Sequence, residues 1–117
     1  MIALVEDDES YRAALQRVLK SAGLAVRSFA SAEDFLKSGQ QHETGCLITD
    51  ICMPGMSGLD LQAKLNAENC PIPIIFITGH GDEEMRLQAM RSGAVKFLAK
   101  PFDRAVLLES VRVALQV

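Results

Sequence analysis

Cysteine is scarce in this 117-residue sequence, with three in all. Cys46, Cys52 and Cys70 are odd in number and form no C-x-x-C pair, which excludes a disulfide framework or a zinc ribbon. They read as small hydrophobic residues. No apolar run approaches the ~20 residues that a membrane span requires. The N-terminus also lacks a basic stretch ahead of an apolar core, so the expectation is a cytoplasmic protein with no membrane contact. Positive charge is not in excess either. The formal net charge is −3, and without a concentrated basic surface this chain is not expected to hold nucleic acid. Internal repeats, low-complexity segments and an interdomain linker are all missing, so a single domain is expected over residues 1–117.

What is present is an ordinary globular composition, 49% hydrophobic and 23% charged, arranged as alternating strand and helix signals. Ile2-Ala3-Leu4-Val5 is a continuous apolar run, as in a strand buried on both faces. It stops at Glu6-Asp7-Asp8-Glu9, where Asp8 suits a helix N-cap. Tyr11, Ala14, Leu15, Val18, Leu19 and Ala22 follow at helical spacing, with Gly23 as C-cap. Leu24 to Phe29 alternates like a strand with Arg27 outward, and Ser31-Ala32-Glu33-Asp34 opens a short helix. Gly39 to Gly45, including His42, reads as a loop.

Cys46 to Thr49 is a third strand ending at Asp50, and the Pro54-Gly55 turn leads to a helix opening at Ser57. Leu61 and Leu65 are its apolar positions, and Cys70-Pro71-Ile72-Pro73 breaks it. Ile74 to Ile77 is a fourth strand ending at Thr78-Gly79-His80-Gly81. Asp82, Glu83 and Glu84 then place acids in the first turn of a helix that runs through Met85, Ala89 and Met90 to Gly93. Val95 to Leu98 is a fifth strand, and Asp103 caps a last helix with a Leu107, Leu108, Val111, Ala114, Leu115 stripe. Five strand-helix units in strict alternation predict an α/β fold, a parallel sheet with helices on both faces.

In a parallel sheet all the strands' carboxyl ends share one rim, where ligands of open α/β sheets bind. Glu6, Asp7, Asp50, Thr78 and Lys100 therefore emerge together. Carboxylates meeting there would repel unless a cation were bound, and an all-oxygen ligand set suits Mg2+. A carboxylate can attack phosphorus to form an aspartyl phosphate, with Lys100 and the Thr78 hydroxyl on the phosphoryl oxygens. Taken singly, Thr78 is an ordinary turn former, Lys100 a surface lysine and Phe97 a core residue. Their co-occurrence after successive strands is what makes Asp50 a candidate phosphoacceptor. A hydrolase of the haloacid dehalogenase type would need an acid two places after Asp50, where Cys52 stands. A flavodoxin-like cofactor binder would need a Gly/Ser/Thr-rich loop where four acids stand.

The segments V-E-D-D-x-x-x-R, L-I-T-D-I-C-M-P-G-M-S-G, F-I-T-G-H-G-D and F-L-A-K-P-F together resemble a two-component response-regulator receiver domain, most closely the FixJ-like subgroup. The resemblance implies a flavodoxin-like doubly wound sheet in the order 2-1-3-4-5. It makes Asp50 the phosphorylated residue, with Glu6, Asp7, Asp50 and the backbone carbonyl of Cys52 at Mg2+. Thr78 and Lys100 become the switch hydroxyl and phosphate-binding lysine, Phe97 the switch aromatic, and Lys100-Pro101 a cis peptide. The Cys52 and His80 side chains flank the phosphoryl group and are expected to tune its lifetime. The implied partners are a sensor histidine kinase and a C-terminal helix-turn-helix output domain, which these residues do not contain. A further implied partner is a second copy, bound through the face of the fourth helix, fifth strand and fifth helix. The receiver catalyses its own phosphoryl transfer and slow dephosphorylation, and is not expected to be a turnover enzyme.

Overall fold

A computed structural model describes residues 1–79 and 83–116. Its elements, in chain order, are β1 (Ile2–Val5), α1 (Glu9–Ser21), β2 (Val26–Phe29), α2 (Ala32–Lys37), a 3-10 turn (Gln41–Glu43), β3 (Cys46–Asp50), α3 (Gly58–Ala67), β4 (Ile74–Thr78), α4 (Glu83–Arg91), β5 (Lys96–Ala99) and α5 (Arg104–Leu115). The five strands form one parallel sheet in the order β2-β1-β3-β4-β5. The expected fold and strand order are both present.

The apolar runs of β1, β3 and β4 are continuous because these central strands pack on both sides. Ala3, Val5, Leu47 and Phe76 join Phe35 of α2, Leu61 and Leu65 of α3 and Ala89 of α4 on one face. Their neighbours Ile2, Leu4, Ile48, Ile75 and Ile77 join Leu15 and Leu19 of α1 and Leu107 and Val111 of α5 on the other. Helix starts follow their local chemistry. Asp8 Oδ1 accepts the Tyr11 N–H, Ser31 Oγ accepts that of Asp34, and Ser57 and Asp60 form a reciprocal capping box.

Several boundaries and faces differ from expectation. β2 starts at Val26 because the Leu24 N–H still closes the end of α1 on Leu19 O. β5 starts at Lys96, one residue late. Ala14, Ala22 and Leu115 face solvent, so the buried stripes of α1 and α5 are narrower than their apolar content. Asp103 occupies the N-cap of α5, but its backbone carbonyl takes the Val106 and Leu107 N–H groups and its side chain makes no cap bond. The loop 39–45 contains the 3-10 turn. Cys46 and Cys70 are buried as small hydrophobic residues, whereas Cys52 is exposed. His80 and Asp82 lie outside the described residues.

Candidate functional site

The strand carboxyl ends enclose a concavity of about 280 Å³ lined by Glu6, Asp7, Asp8, Asp50, Cys52, Thr78, Gly79 and Lys100. A wider concavity of about 710 Å³ runs along α4 between Glu83 and Ser92, but among the described residues no set of buried functional groups converges there. Register explains the convergence at the rim. Val5 pairs with Thr49, Asp50 with Ile77 and Thr78 with Ala99, so Asp50 and Thr78, the last residues of β3 and β4, share one space with Glu6 and Lys100, the first residues beyond β1 and β5.

Glu6 is fully buried, Asp50 is nearly so, and Asp7 is exposed. One carboxylate oxygen from each lies within 4.8 Å of the other two. At an effective dielectric near 20, two charges at that separation repel by roughly 3 kcal/mol. Lys100 Nζ offsets part of this, donating to Glu6 Oε1 at 2.7 Å and to Asp50 Oδ2 at 3.0 Å. Burial pushes the Glu6 carboxyl up, against the lowering effect of the Lys100 and Asp8 N–H hydrogen bonds, and repulsion from Asp50 adds to the rise. Burial works against the Lys100 ammonium, but its hydrogen bonds to Glu6 and Asp50 outweigh it and its pKa is raised. The lysine stays charged in the site.

The backbone fixes these groups. Asp50 Oδ1 accepts the Cys52 N–H at 3.1 Å, so the residue two places beyond the carboxylate also orients it. The Asp8 N–H donates to Glu6 Oε2 at 3.2 Å, and Arg12 Nη1 donates to the Glu6 carbonyl at 2.8 Å, tying α1 to the acidic loop. Lys100 Nζ sits 4.2 Å from the centre of the Tyr11 ring, a cation–π contact, and Phe102 meets that ring edge to face. Thr78 is buried at the end of β4. Phe97 is half-buried on β5, paired in register with Phe76 and packed against the core face that holds α4. The Lys100-Pro101 peptide is cis.

Glu6, Asp7, Asp50, Cys52, Thr78 and Lys100 are thus brought together, while Phe97 stands apart on β5 and His80 is not described. The anchoring roles of Arg12 and Tyr11 were not predicted. Helical spacing from the acidic run places both on the first turn and a half of α1, and Arg12 also closes the V-E-D-D-x-x-x-R segment. The donor set is all oxygen, with two buried carboxylates, one open carboxylate and a single lysine in countercharge. It fits a hard divalent cation that keeps part of its water.

The profile of the response regulator receiver domain matches residues 2–112. This chain belongs to the response regulator receiver family. The receiver is 49% identical over 111 residues to Nodulation protein W of Bradyrhizobium diazoefficiens, covering 95% of this chain and 49% of that protein. It is 43% identical to the transcriptional regulatory protein FixJ of Azorhizobium caulinodans, covering 97% and 54%. Among solved structures, FixJ-N superposes with a TM-score of 0.89 at 40% identity, covering 98% of this chain and 92% of that one. The receiver spans about half the length of these curated relatives. Among the described residues, no helix is long and apolar enough to cross a membrane.

Proposed function

We propose that this receiver is a phosphorylation switch in which Asp50 accepts a phosphoryl group from the phosphohistidine of a sensor histidine kinase. The observation that carries the reading is the contact of Lys100 with both Asp50 and Glu6 in the rim of three carboxylates. An Asp50 carboxylate oxygen attacks phosphorus, the P–N bond breaks, and its electron pair leaves with the imidazole, which takes up a proton. Glu6, Asp7, Asp50 and the Cys52 carbonyl would hold Mg2+, which when bound neutralises charge developing on the phosphoryl oxygens. Lys100 exchanges its Asp50 contact for a phosphoryl oxygen, and the Thr78 hydroxyl takes another.

Thr78 and Phe97 then reposition, and the face made by α4, β5 and α5 changes shape. That face meets a second copy or a helix-turn-helix output domain, and so governs transcription from the cytoplasm. The receiver binds no DNA itself. Its own chemistry is limited to phosphoryl transfer and slow dephosphorylation, with Cys52 and His80 setting the lifetime. Exchange of Cys52→Asn and His80→Glu should change the half-life of the aspartyl phosphate.

Incubation with acetyl phosphate and Mg2+ tests the assignment of Asp50. The wild type should gain one phosphoryl group by intact-protein mass spectrometry and Asp50→Ala none. Lys100→Ala should react about a hundredfold more slowly, the scale expected for loss of one charge-stabilising donor. An unmodified wild type, or a modified Asp50→Ala, would overturn the assignment.

A further inference from the structure

The loop 51–57 between β3 and α3 carries the two Cys52 backbone groups that serve the site, so its position matters to the chemistry. Both its ends are fixed. The Cys52 N–H donates to Asp50 Oδ1, the Gly58 N–H donates to Ile51 O at 2.9 Å, and the Ser57–Asp60 capping box begins α3. The middle is held from elsewhere. The Met56 N–H donates at 3.1 Å to Oε2 of Glu33, which lies 23 residues earlier in the first turn of α2.

Glu33 does more than favour the N-terminus of its own helix. An acid in a first turn interacts with the helix terminus while pointing into solvent, yet this side chain reaches across to the loop. Its Oε1 is buried and has no hydrogen-bond partner among the described residues, a cost that a solvent-facing carboxylate would not bear. The loop is shaped to receive it. Gly55 adopts φ +76°, and a Cβ at that position would lie 2.6 Å from Glu33 Oε2. The carboxylate therefore rests against glycine backbone in space that another residue would fill.

We propose that Glu33 is a positioning residue for phosphoryl transfer: through the Met56 N–H it holds the loop 51–57 in the placement that presents the Cys52 backbone to Asp50 and to a bound cation. This rests on the reading of Asp50 as phosphoacceptor. Glu33 touches neither the reacting atoms nor the cation site, and it acts through the loop alone. Outer partners that orient ligands of a cation commonly change affinity by tenfold or more, which sets the scale expected here.

The test compares wild type, Glu33→Ala, Glu33→Gln and Gly55→Ala, first by Mg2+ titration followed through the Cys52 and Met56 amide resonances. Glu33→Ala should bind Mg2+ about tenfold more weakly, with faster hydrogen exchange at the Met56 amide. Glu33→Gln keeps an oxygen acceptor and should stay within about twofold of wild type. Gly55→Ala drives its Cβ into Oε2 and should resemble Glu33→Ala. Modification by acetyl phosphate in Glu33→Ala should be slow at low Mg2+ and recover at saturating Mg2+. Unchanged Mg2+ affinity and Met56 exchange in Glu33→Ala, beside a normally modified wild type, would overturn the role of Glu33 alone. So would a Glu33→Gln protein as weak as Glu33→Ala, or a loss of thermal stability in Glu33→Ala with affinity intact. An unmodified wild type would instead remove the reading of Asp50, and the titration and exchange arms would still judge the loop.

Discussion

Cys46 and Cys52 stand six residues apart at either end of one strand-to-loop segment, yet their thiols live in opposite media. Cys46 has no exposed surface, and burial pushes its thiol up from 9.0 to about 12. Cys52 is exposed at the rim. In native protein at pH 8 a thiol reagent should modify Cys52, leaving Cys46 and the buried Cys70 unreacted until denaturant is added; equal rates at all three would contradict the burial described. The raised thiol also has a sign in stability. Above pH 9 the unfolded chain loses this proton first, so the contribution is whole below pH 9 and is lost as pH rises toward about 12. Relative to Cys46→Ala, the wild type should lose on the order of 1 kcal/mol between pH 8 and pH 10 in urea unfolding. A parallel pair of pH profiles would refute it. The sequence read all three cysteines as small hydrophobic residues. For Cys52 only the family resemblance, which sets its side chain beside the phosphoryl group, pointed out of the core, because strand periodicity ends at Asp50 and the turn beyond it has no inner face to predict.

At the scale of elements, the strand ends and the rim they form were legible, since a buried strand announces its end where an apolar run meets a charge. The ties between elements were not. Glu33 reaches Met56 N, Arg12 reaches Glu6 O, and Gln62 Nε2 reaches Ala89 O at 3.0 Å across 27 residues. In each the partner is a peptide group, which every residue carries, so no side-chain pattern marks it. Gln62 is 2% exposed and joins α3 to the last turn of α4, where the Ala94 N–H shares the same carbonyl. Gln62→Ala should cost roughly 1–3 kcal/mol. The exposed Asn66, whose Nδ2 donates to Ser92 O one turn along, should cost under about 0.5 kcal/mol when truncated. Equal costs in chemical denaturation would show that burial is not what separates them. Gly58 is a tie of another kind. A Cβ there would stand 2.4 Å from Asp50 O and 3.0 Å from Ile51 Cα, both backbone atoms without freedom to yield. Gly58→Ala should destabilise by about 1–3 kcal/mol and also slow modification of Asp50. Normal stability with normal modification would mean that α3 can retreat from β3.

For the molecule as a whole, a cation held at the acidic rim would be linked to folding, because the carboxylates that follow β1 and end β3 come together only in the native sheet. Mg2+ should raise the thermal midpoint, with each tenfold increase above the dissociation constant adding ~1.4 kcal/mol. A chelator should reverse the rise, and Asp7→Asn should abolish most of it; a midpoint indifferent to Mg2+ would argue against the cation site. The strand order has a second consequence. Residues before the loop 39–45 build β1, α1, β2 and α2, and residues after it build β3 to α5, so the sheet divides along the single β1–β3 seam. Glu6 and Asp7 belong to one side, Asp50 and Lys100 to the other. Cut within that loop, the protein becomes two contiguous fragments, and neither carries the whole of the proposed phosphoacceptor site. Complementation of the fragments would restore it, making modification of Asp50 by acetyl phosphate a chemical signal of reassembly.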